Sequence, residues 1–221
     1  MNFPDALKGV KKIYTSEILL LLAGVLGGVA SFFGTQAQQQ IAQGGTEGLD
    51  AGTAFGVMIP VLAAGLFEII ATLVQFFGLK DASADDEYFK QGYTYAFIGL
   101  VASIVFSVLA YTKIGGSMMN DLGTIVSNFI QVVVTFYVIS GIKNLADRLG
   151  IAEMVERGKK VFNIYAAAVI LSSVVQLATA VLQDNMKMFV VGILGAVALI
   201  LSIVGFILYM GYLSKAKKML A

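Results

Sequence analysis

The stretch from Thr53 to Gly78, TAFGVMIPVLAAGLFEIIATLVQFFG, carries a single formal charge, Glu68. An α-helix needs about 20 apolar residues to cross a hydrocarbon layer of roughly 30 Å. This segment meets that requirement with residues to spare. Five more windows do the same: 18–35, 93–112, 122–141, 161–182 and 188–212. The expected fold is therefore all-α, a polytopic transmembrane bundle of six helices forming a single integral membrane domain over residues 1–221.

Composition supports the same solvent. Hydrophobic residues make up 58% of the 221, charged residues only 13%, and mean hydropathy is +0.84. Too few polar side chains exist to coat a water-soluble body of this size, so the outer surface must face lipid. The first span follows Lys8, Lys11 and Lys12, but no good small-residue cleavage site comes after Phe33, so it reads as a retained helix.

Charge also assigns the sides. Thirteen of the 15 basic residues fall in the amino-terminal segment, the second and fourth loops and the carboxyl tail; only Lys113 and Lys187 lie opposite. Basic segments translocate poorly. The expectation is a cell-membrane protein with both termini cytoplasmic and anionic headgroups near Lys215, Lys217 and Lys218.

A weak threefold repeat of helical hairpins is also expected. Each odd span is entered through a basic-then-aromatic step: Lys12 to Tyr14, Lys90 to Tyr93, and Lys160 to Phe162. Each even span leaves through a glycine (Gly78, Gly141 or Gly211) followed by a basic segment. The stretch Ile142–Leu149, with Ile142, Leu145, Ala146 and Leu149 on one face, reads as a helix lying at the interface.

Side chains three and four residues apart share a helical face. That rule collects Glu68, Thr72 and Gln75 on the second span. It collects Thr124, Asn128, Gln131 and Thr135 on the fourth, and Ser172, Gln176, Thr179 and Gln183 on the fifth. Polar faces avoid hydrocarbon, so these three spans are expected to face inward and the nearly apolar sixth to face lipid. Glu68 and Gln131 lie equally far from their exit glycines. A carboxylate at mid-membrane costs ~2.5–3.5 kcal/mol on insertion scales unless it is protonated, paired or solvated. No Lys or Arg lies at its depth. The set Glu68, Thr72, Gln75, Asn128, Gln131, Thr135 and Gln176 is thus the candidate intramembrane polar site, against a plainer role as interhelical hydrogen-bond glue.

Gly24 and Gly28, and again Gly52 and Gly56, present small-xxx-small surfaces suited to close helix packing, chiefly inside the monomer. Pro60 should bend the second helix. The loop Gln36–Gly52 is expected to prolong the first helix outward and turn at Gly44-Gly45. The acidic run Asp81, Asp85, Asp86 and Glu87 could hold Mg²⁺ but fits a helix cap better, with capping-box spacing between Ser83 and Asp86.

There is no Cys and no His. Thiol chemistry is excluded and the commonest general base is missing, so no enzyme, metal or cofactor is expected. Net charge of +1 gives no footprint for nucleic acid. Two functions fit: a small transporter or channel component using Glu68, or a non-catalytic subunit or scaffold that packs against partner membrane proteins or copies of itself.

Overall fold

The computed structural model describes residues 3–44, 51–112, 117–181 and 185–221. All of their regular structure is helical. The six helices are α1 (Pro4–Gly44), α2 (Ala51–Ala82), α3 (Glu87–Tyr111), α4 (Ser117–Arg148), α5 (Ala152–Val181) and α6 (Asn185–Leu220). Each is long and apolar enough to cross a bilayer. The chain is an integral, multi-pass membrane protein.

All six helices contain their expected spans or nearly so, and most run well beyond them. Helix α1 continues to Gly44, as the Gln-rich loop suggested; residues 45–50, which hold Gly45 of the expected turn, lie outside the described residues. Helix α2 passes through Pro60 without interruption, although the missing N–H leaves the Gly56 carbonyl without its usual helical donor.

The chain divides into two compact units. One holds residues 11–77, the main parts of α1 and α2; the other holds residues 1–10 and 78–221. In the smaller unit, α1 and α2 run antiparallel, with Phe33 seated on Gly56 and the Gln40 amide donating to the Thr53 hydroxyl at 3.2 Å.

In the larger unit, α3 and α4 hold one antiparallel register along their length. Glycines mark the crossings: Gly123 against Phe106, Gly99 against Ile130, Gly92 against Tyr137 and Gly141 against Phe89. A methyl group at Gly141 would lie 2.7 Å from the Phe89 ring. Helices α5 and α6 pair likewise, through Gly205 against Tyr165 and Gly158 against Tyr212. Such small-residue contacts replace hydrophobic collapse in lipid, where tails are as apolar as leucine.

The best-buried side chains of this unit gather at the basic end. Phe3, just ahead of α1, and Ala6 and Val10 within it join Leu79 and Ala82 of α2, with Phe89, Ile142, Leu145, Tyr212, Leu213 and Ala216 also enclosed. Many of these lie past the apolar spans. The stretch Ile142–Leu149 therefore does not form a separate interfacial helix, contrary to the sequence expectation. It is the last two turns of α4 and the following residue, and its apolar face is covered by protein. An amphipathic face reads the same whether headgroups or other helices cover it. Helix α6 exposes Phe189, Ile193, Leu199, Ile203 and Ile207, but α2 exposes Leu62, Leu66, Glu68, Ile69 and Thr72 as well, so exposure does not divide these two spans as their polar stripes suggested.

The turn from α4 to α5 is a Schellman motif. Gly150 takes φ 72°, its N–H donates to the Asp147 carbonyl, and Ile151 N–H reaches back to Ala146, each at 2.9 Å. Glycine suits this left-handed position because a Cβ would clash there.

Candidate functional site

Two acids of the run between α2 and α3, Asp85 and Asp86, act as helix caps. Asp86 immediately precedes α3, and its carboxylate accepts from Tyr88 N–H at 2.9 Å, satisfying one of the orphan donors at a helix start. Its second oxygen accepts from the Asn144 side-chain amide at 2.6 Å and lies 3.5 Å from the Arg148 guanidinium. Asp85 caps a different helix: its carboxylate accepts from Ala6 N–H at 2.6 Å, in the first turn of α1. Asp81 sits 3.4 Å from Lys8. The capping box is not the device used, since the Ser83 hydroxyl instead donates back to the Lys80 carbonyl at 2.6 Å. Among the described residues no group of three His, Cys, Asp or Glu stands close enough together to hold a metal ion.

The polar residues of the smaller unit are arranged differently. Glu68 is exposed and borders a groove of 460 Å³ between α1 and α2, lined also by Gly27, Ala30, Ser31, Ala64 and Gly65. The neighbouring hydroxyls are not turned toward it. Thr72 donates to the Glu68 carbonyl at 2.8 Å and Ser31 donates to the Gly27 carbonyl at 2.9 Å, each closing on its own helix. Among the described residues the Glu68 carboxylate has no hydrogen-bond or ion-pair partner.

Gln75, two turns nearer the basic end, is 8% exposed, and its amide nitrogen finds no acceptor among the described residues. Glu17 on α1 is 5% exposed, with one carboxylate oxygen likewise unpartnered. The pairing of Phe33 with Gly56 and of Gln40 with Thr53 fixes a register that places Glu17 and Gln75 level along the two helices. A carboxylate and a carboxamide are thus both withdrawn from water at one height. Each buried polar atom without a partner costs ~1–3 kcal/mol, more if charged, so such a pair calls for a proton or a ligand.

Glu17 was not among the residues that sequence reasoning picked. It stands one position ahead of the first apolar window and resembles the polar flank of an ordinary membrane helix. The available signal was its place as a lone acid between Lys12 and the first apolar window.

The stripe on α4 lies in the larger unit. Thr135 is fully buried with its hydroxyl unpartnered, and Asn128 and Gln131 are half-buried. Ser172 closes on the Ala168 carbonyl at 2.9 Å. The side chains of Gln176 and Thr179 lie outside the described ones, as does residue Gln183.

The glycine surfaces also separate. Gly56 is pressed against Phe33, while Gly24 and Gly28 have open space where a side chain would begin. Within the smaller unit no described residue approaches Gly24 or Gly28. Gly52 is exposed at the start of α2.

The chain shows no match to a protein-family model, to a curated protein or to a solved structure.

Proposed function

We propose that this chain is a small, non-enzymatic component of a membrane transporter or channel, with Glu68 as the intramembrane group that takes up a proton or cation. The observation that carries the reading is the Glu68 carboxylate itself. It opens onto a groove at bilayer depth with no described partner, while the hydroxyls beside it are spent on their own helices. An ionised carboxylate in hydrocarbon is unfavourable by several kcal/mol, so its resting state must include a bound proton, a cation or water. Glu17 and Gln75 extend the polar positions toward the basic end, which the reading places in the cytoplasm of a cell-membrane protein.

The hairpin repeat belongs to this proposal. Each exit glycine meets the odd helix of its own pair about one turn ahead of the entry aromatic. Gly78 meets Gly9, Gly141 meets Phe89 and Gly211 meets Arg157. Three hairpins closed in the same way support a common unit, a plan that transporters use.

A second reading rests on Gly24, Gly28 and Gly65. All three have open space around them, a surface into which a helix of a partner membrane protein or another copy of this chain would fit. One preparation tests both. Purified protein in liposomes should pass protons or monovalent cations down a gradient, and Glu68→Gln should lower the flux to that of protein-free vesicles. Flux that is absent, or indifferent to Glu68→Gln, removes the conduction reading. A stoichiometric membrane partner that co-purifies and is lost on Gly28→Leu would establish the subunit reading instead.

A further inference from the structure

We infer that the cleft between α4 and α5, at the basic end of the larger unit, holds the headgroup phosphate of an anionic phospholipid. The cleft has a volume of 240 Å³. Its lining changes character along its length. Phe136 and Phe162 form an apolar wall, their rings edge to face with centroids 5.2 Å apart, while Lys143 and Lys159 stand at the other end. Ser140 and Asn163 add a hydroxyl and an amide to the walls, and neither makes a hydrogen bond to a described residue. From Phe136 to Lys143 a helix rises ~10 Å, the step from acyl chains to phosphate in a leaflet.

Gly158 makes this arrangement possible. A methyl group there would lie 2.7 Å from the Lys143 side chain and 2.7 Å from the Tyr212 hydroxyl. Without one, the apolar stem of Lys143 lies against the α5 backbone at Gly158, and the residue lines the cleft. The local charge is positive. Glu156 binds Lys159 at 2.8 Å and also feels Lys160 and Lys143, leaving three cations around one carboxylate. Basic recesses between membrane helices on the positively charged side have this chemistry, and the phenylalanine wall selects a phosphate that carries acyl chains over a free anion.

Native mass spectrometry of the detergent-solubilised chain tests the assignment, with phosphatidylglycerol, phosphatidylcholine and inorganic phosphate as probes. One phosphatidylglycerol per chain should be retained while phosphatidylcholine washes away, and millimolar phosphate should not displace it. Lys143→Met keeps the stem and should weaken retention about fivefold; adding Lys159→Gln should bring the loss to about thirtyfold. Lys143→Arg should restore it. The double variant Lys11→Gln with Lys80→Gln removes the same charge elsewhere and should change nothing. The inference is overturned if phosphatidylglycerol is not retained, or if free phosphate displaces it. Equal weakening by the Lys11 and Lys80 variant also overturns it, by showing diffuse attraction. So does failure of Lys143→Arg, which would mark a structural defect.

Discussion

Asp86 and Glu17 are both carboxylates shut away from water, one in each unit of the chain. The Asp86 side chain is fully enclosed and accepts from a backbone N–H and a carboxamide, with an arginine alongside. Glu17 is enclosed almost as well, and one of its oxygens meets no donor among the described residues. The first belongs to a finished network in which burial is offset bond by bond. The second is a buried acid with one oxygen left without a donor among the described residues. The contrast is physical: a satisfied buried acid ties helices together, while an unsatisfied one is unfavourable as a charge unless it gains a proton or a donor.

Substitution can break or sharpen that contrast. Asp86→Ala should have the largest effect, removing a helix cap and a charged acceptor together for a loss of about 3 kcal/mol in detergent unfolding. A loss below about 1 kcal/mol would mean that the network is not what joins α3 to α4. Asp85→Ala removes the cap of α1 alone and should cost about 1 kcal/mol by the same measurement, with Asp85→Asn recovering most of it. Glu17→Gln should leave stability unchanged or slightly higher, because no bond is given up. A clear loss would reveal a donor to Glu17 and place it with Asp86.

How much of this was readable beforehand follows from which solvent each residue meets. The apolar windows announced themselves because crossing lipid imposes a length and a composition on the chain. Helix ends were less visible. The last turns of α4, from Ile142 to Arg148, are as charged as a loop, yet they are helical and bury Ile142, Leu145 and Ala146. A cap at the start of α3 was readable from the acidic run, though not as the Ser83 capping box expected, and that Asp85 serves α1 depends on the two segments meeting in space, which local spacing does not encode. Glu68 stood out as a charge in an apolar run. Glu17 did not, since one residue separates an ordinary helix flank from an enclosed acid.

The gathering of well-buried side chains at the basic end has a mechanical consequence for α3 to α6. Outside the bilayer, burying apolar surface draws on the full hydrophobic effect; within it, that drive is lost and only close packing remains. These four helices are like stems bound at the base, firmly joined where they meet water and held more lightly along their shafts. Splaying on the side away from the knot is then the least costly deformation of the unit, and it can occur without undoing the tie that keeps the stems in order.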